Sequence, residues 1–168
     1  MSSQRKTHQP RLIHHSQLGR ALRLARCLPP ATVAQALRPI SICFRSLREG
    51  VANETEWAIL VSALNLASAL ETHALRHGTH GHIKAGLQAL EQVMRRAMAK
   101  QFWIPVEIHL QEIDDIRVAI ELHEDQLRQI DQGAYATACT YAPTEVRNTA
   151  GVVLDMKPAG EQLAIAGV

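Results

Sequence analysis

Between Asn53 and His77 the chain reads NETEWAILVSALNLASALETHALRH, and no charge interrupts it between Glu56 and Glu71. Trp57, Leu60, Leu64 and Ala67 form one face of a helical wheel; Ile59, Ala63, Leu66 and Leu70 form another. A helix apolar on more than one face is the buried middle of a bundle. Asn53 followed three residues later by Glu56 predicts a capping box at its start, and His77-Gly78 predicts its end.

The flanking stretches carry narrower apolar seams. Residues 1–15, MSSQRKTHQPRLIHH, are polar and basic and predict disorder. Ser16 to Leu28 suggests a short basic helix with Leu18, Leu22 and Ala25 on one side, halted by Pro29-Pro30. A second helix follows with Val33, Leu37, Ile40, Phe44 and Leu47 at alternating four and three spacing. Pro39 should kink or split it near Leu37, and Glu49-Gly50 should end it. After the turn from His77 to Gly81, Ile83, Leu87, Leu90, Met94 and Ala97 predict another seam, with Lys84, Gln88, Glu91 and Arg95 outside. Phe102 and Trp103 then read as a plug for the end of the core. The next helix, Val106 to Asp131, places Ile113, Ile116, Ile120, His123, Leu127 and Ile130 on one face, and Gly133 reads as its stop. Tyr135 to Tyr141 adds a short fifth helix ending before Pro143.

These elements predict an all-α fold, a bundle of four main helices and a short fifth over residues 29–142. A partly disordered basic arm, 1–28, precedes it, and a loose tail, 143–168, follows. No fixed-period repeat is present.

Composition agrees. Apolar residues make up 46% of the chain and aromatics 4%, so the core must be aliphatic. Charge changes the picture more. Met1 to Arg48 holds nine Lys or Arg and no acid, whereas the rest holds nine basic and sixteen acidic residues, a split of +9 and −7. Three scattered cysteines, Cys27, Cys43 and Cys139, argue against a disulfide framework and for a reducing compartment. The apolar run Trp57 to Leu70 includes Ser62, Asn65 and Ser68 and is short for a membrane span. The N-terminus lacks a secretory apolar core, since Arg20, Arg23 and Arg26 interrupt it; an organelle transit peptide is the alternative to a cytoplasmic protein.

The basic arm is the leading candidate site. Arg5, Lys6, Arg11, Arg20, Arg23 and Arg26 can lie along phosphates, releasing counterions. The plain alternative is a solubilising tail, or an arm that pairs with an acidic helix. Without aromatics to stack on bases, single-strand recognition is disfavoured. Ala31 to Gly50 also admits a helix-turn-helix, broken at Arg38-Pro39-Ile40, whose second helix would present Ser41, Arg45 and Arg48 to DNA. The acidic helix offers a second surface: Glu112, Asp115, Glu121 and Glu124 could bind a host protein. Between copies, the basic arm and acidic helix favour a homo-oligomer. His73 and His77 share a helix face, and with His80 and His123 they suggest a metal site, though neither HExxH nor Glu-x-x-His is present. Gly78, Gly81 and Gly86 make no phosphate loop, and no cysteine has an evident base. The expectation is a non-catalytic protein without a cofactor.

The stretches TVAQALRPI, LREGVANETEWAILVSALNLASALE and IDDIRVAIELHEDQLRQI together resemble small helical proteins of proteobacterial prophages and other mobile elements. Some of those carry the label Fis-type transcriptional regulator. The resemblance covers about residues 29–142 and implies an accessory or regulatory protein. Fis-like proteins place a helix-turn-helix at their C-terminal end, whereas this chain ends GVVLDMKPAGEQLAIAGV, which contains none.

Overall fold

A computed structural model describes residues 15–75, 77–100 and 102–148. Six α-helices account for most of these: α1 His15–Leu24, α2 Pro30–Arg48, α3 Glu54–Leu70, α4 His80–Ala97, α5 Leu110–Gln129 and α6 Gln132–Asn148. Glu71–Leu75 prolongs α3 as a π turn. An isolated antiparallel bridge between Cys27 and Asp131 is the one β-type pairing among the described residues. The fold is all-α, as the seams predict.

α3 starts with the predicted capping box. The Glu56 amide donates to the Asn53 side-chain oxygen at 2.9 Å, and the Asn53 amide donates to Glu56 Oε2 at 2.9 Å. Its Leu60, Leu64, Ala67, Ala69 and Leu70 have no solvent exposure. With the π turn it spans Glu54–Leu75, the one described segment long and apolar enough to cross a membrane by length and composition. In this fold α2, α4, α5 and α6 all pack against it. Ile40, Cys43, Leu47, Leu90, Val93 and Ile116 close over its first half, while Val33, Leu127, Ile130 and Ala138 gather at Leu70.

α2 runs without a break from Pro30 to Arg48, so the helix-turn-helix reading of Ala31 to Gly50 does not hold. Pro39 lies inside the helix on its exposed side. There the missing amide removes one ladder bond where water reaches the freed carbonyl, and the buried seam of Val33, Ile40, Cys43 and Leu47 continues past it.

Trp57 and Trp103 tie the far end together. Their rings lie 5.9 Å apart; Trp57 Nε1 donates to the Leu90 carbonyl and Trp103 Nε1 to the Ala52 carbonyl, each at 2.9 Å. Trp103 therefore plugs the core end as expected. Phe102 does not, being 60% exposed, while the adjacent Trp103 takes the inward position.

Residues without bulk decide how α4 meets α5. The buried stripe of α4 is Ile83, Gly86, Ala89, Leu90, Val93 and Ala97, rotated from the predicted seam so that Leu87 and Met94 are half-buried. A Cβ on Gly86 would stand 2.6 Å from Ala119 Cβ and 3.2 Å from the Asp115 carbonyl. The helices approach only because that atom is missing.

Several boundaries differ from expectation: α1 stops at Leu24, short of Leu28, and α5 starts at Leu110 instead of Val106. α5 ends at Gln129 with Ile130 extended, and Gly133 sits in the first turn of α6 instead of stopping α5. A Cβ there would crowd Asp131 Oδ1 at 3.2 Å and Leu24 Cβ at 3.4 Å. α6 is also longer than the predicted Tyr135 to Tyr141 and continues beyond Pro143 to Asn148. The helix packs along α3 and starts on an Asp131 cap, whose side chain accepts from the Ala134 amide at 2.8 Å. Residues 1–14 and 149–168 lie outside the described residues.

Gly86→Ala should destabilise the fold by roughly 1–3 kcal/mol, because the backbones must separate. Gly81→Ala, with no atom within 4 Å of the added Cβ, should be neutral or slightly stabilising. Urea midpoints of the two variants test this; equal midpoints would contradict the close approach.

Candidate nucleic-acid interface

α1 and α2 carry the basic end of the chain. α1 is held against the α5–α6 corner by backbone bonds: the Gln132 amide donates to the Arg26 carbonyl at 2.9 Å and the Leu28 amide to the Ile130 carbonyl at 3.2 Å. Pro29 and Pro30 then open α2 at its first position, where a missing amide is harmless.

Because α2 buries only one stripe, its opposite side is exposed from Ala31 through Gln35, Arg38, Ser41, Ile42, Arg45 and Arg48. Arg38 and Arg45 are seven residues apart and stand on one line, about 10 Å along the axis. Arg20 and Arg26 are exposed as well. None of these five arginines makes an ion pair among the described residues.

The arginines of α4 and α5 behave differently. Arg95 meets Glu91 at 2.6 Å; Arg117 meets Asp114 at 3.2 Å and Glu121 at 3.0 Å; Arg128 pairs with Glu124. Arg96 forms a two-pronged pair with Glu112, Nη1 to Oε1 at 2.7 Å and Nη2 to Oε2 at 2.6 Å. Glu112 Oε2 also accepts from the His109 amide at 2.9 Å, fastening the start of α5 to the end of α4. Burial alone would raise the Glu112 pKa, yet Arg96 and the His109 amide outweigh it and hold the carboxyl below its ordinary value.

The structure thus divides the sequence candidates. Arg20, Arg26, Arg45 and Arg48 are available to a ligand. Arg5, Lys6 and Arg11 lie outside the described residues; Arg23 lies in α1, with its side chain undescribed. The acidic surface is largely spent within the bundle: Glu112 on Arg96, Glu121 on Arg117, Glu124 on Arg128, and Asp115 on the Gln111 amide at 3.0 Å. Arg38 was not among the candidates; its seven-residue spacing from Arg45 was the available signal.

The four histidines do not come together. His123 is buried in α5, whereas His73, His77 and His80 are exposed near the end of α3. His73 stacks at 5.0 Å from Tyr141, and no group of three metal-ligating side chains forms among the described residues. Glu71 is the polar group that sequence reasoning passed over here. Buried in the π turn, it accepts from the Thr79 amide at 2.9 Å and so braces the start of α4. Burial would raise its pKa, but the Thr79 side chain and the amides of His77 to Thr79 prevail and lower it.

Comparison with known proteins finds no match among family models, curated proteins or solved structures.

His123 yields a pH test. Burial pulls its pKa down from 6.5 to about 4, partly offset by Gln126, whose amide in turn donates to the Ala67 carbonyl at 3.2 Å. The unfolded chain therefore binds more protons than the folded one between those values. Stability should be full above pH 6.5 and fall by as much as roughly 3 kcal/mol as pH drops towards 4. His123→Leu should flatten urea-midpoint profiles between pH 6.5 and 5, above the range where Glu71 and Glu112 titrate. An unchanged slope in the variant would contradict this.

Proposed function

We propose that the protein is a small, non-catalytic, cytoplasmic accessory or regulatory protein of the mobile-element type that contacts DNA through its basic N-terminal arm, α1 and the exposed face of α2. The observation that carries this reading is the contrast in pairing. Arg20, Arg26, Arg38, Arg45 and Arg48 face solvent without carboxylate partners among the described residues, whereas Arg95, Arg96, Arg117 and Arg128 are each paired within the bundle. Unpaired guanidinium groups on one line of a helix suit successive phosphates, which can receive their donors two at a time.

The contact is chiefly with the backbone. On α2 the polar groups beside the arginines are few, and the Ser41 hydroxyl is engaged with the Leu37 carbonyl at 3.1 Å. No aromatic residue stands among them to stack on an unpaired base. Duplex DNA bound through phosphates, with weak sequence preference, is the fitting ligand.

Full-length protein should bind a duplex with an affinity that falls steeply with salt. Replacing Arg38, Arg45 and Arg48 by Gln together should reduce the magnitude of the log-affinity against log-salt slope by up to about 3. Arg117→Gln, on the paired surface, should leave it unchanged. Binding absent in the wild type, or equally reduced by both replacements, would overturn the reading.

A further inference from the structure

A second surface lies at the end of the bundle where α2 turns into α3 and α4 into α5. Three large apolar side chains are exposed there: Val51 at 60%, Phe102 at 60% and Leu110 at 82%. The framework holding them is well anchored. Trp103 Nε1 donates to the Ala52 carbonyl at 2.9 Å, the Ile104 amide returns to the Ala97 carbonyl at 3.0 Å, and a Cβ on Gly50 would lie 3.7 Å from the Val106 carbonyl. Arg96 and Glu112 fix the start of α5, which carries Leu110. These side chains are thus presented on bonded backbone. An exposed Phe and Leu at one end of a helical bundle are a contact surface of the kind that excludes water against a partner.

The charges at this end of the bundle favour a second copy of the chain as that partner. Arg48 and Glu49 precede Val51 in the chain, Lys100 precedes Phe102 and Glu107 precedes Leu110, all four exposed and none in an ion pair among the described residues. Two cations and two anions do not suit a polyanion, which would favour a uniformly basic rim. They suit an isologous contact, in which each copy's cations meet the other's carboxylates around a shared apolar centre. We infer that two copies of this chain associate end to end through Val51, Phe102 and Leu110. This differs from the pairing of basic arm with acidic helix that charge alone suggests, because most α5 carboxylates are already satisfied within the bundle. It shares Arg48 with the face proposed to contact DNA, but the apolar centre and the other rim charges lie outside that face, and two joined copies would offer two basic faces to one duplex.

Sedimentation equilibrium of the full chain over a concentration series tests the inference. The wild type should approach twice the chain mass of 18.6 kDa. Phe102→Ser with Leu110→Ser should weaken association at least about tenfold, the loss expected when central apolar anchors are removed. Because both residues are exposed, the thermal midpoint of monomeric samples should not move. Glu49→Lys with Glu107→Lys, which makes the rim uniformly basic, should weaken association more at low salt than at high salt. A wild type that stays monomeric throughout, or a Phe102 and Leu110 variant that associates like the wild type, would overturn the inference.

Discussion

A helix with apolar residues on every side can be stable in water only if every side is covered. α3 sets that condition, and the arrangement of the other helices answers it. Leu60, Leu64, Ala67 and Leu70 are fully buried, and α2, α4, α5 and α6 supply the cover. With so few aromatic residues, the cover must be built from close aliphatic contacts, which explains the importance of small side chains. Gly86 against Ala119 lets α4 and α5 approach closely enough for both to reach α3. The Trp57 and Trp103 indoles serve less as bulk than as pins, each ending on a backbone carbonyl of another element.

The same packing decides where charge is left over. α4 and α5 lie alongside each other, so Arg96 and Glu112 can meet across the join, while neighbouring turns on each helix pair the remaining arginines. α1 and α2 contain no acidic residue, and the described part of the bundle brings none to their exposed arginines. Among its described residues, a chain of nearly neutral total charge thereby presents one unpaired cationic surface and one mostly self-neutralised surface. This is the physical basis of the proposed DNA contact.

Much of the fold was legible because its signals are local. The Asn53–Glu56 capping box, the length of α3 and the seam of α2 each depend on spacing within one helix. What escaped depends on neighbours. Pro39 and Pro143 read as breaks, yet tertiary packing carries α2 and α6 through them. Phe102 and Trp103 read alike as core, but only Trp103 finds a partner across the bundle end, on the Ala52 carbonyl, and Phe102 is left exposed. The burial of Gln126 and Glu71 has no local signal in the sequence, since their partners, the Ala67 carbonyl and the Thr79 amide, lie elsewhere in the chain. For the candidate site, the basic bias of the N-terminal part was plain from the sequence. Which charges cancel was not, since that requires knowing which helices touch.

The most direct measurement is an NMR titration of the full chain with a short duplex, following the Nε–Hε signals of the arginine side chains. Arg20, Arg26, Arg38, Arg45 and Arg48 should shift together as duplex is added, while Arg95, Arg96, Arg117 and Arg128 stay in place with their carboxylate partners. Shifts confined to the paired arginines, or none at saturating duplex, would contradict the account.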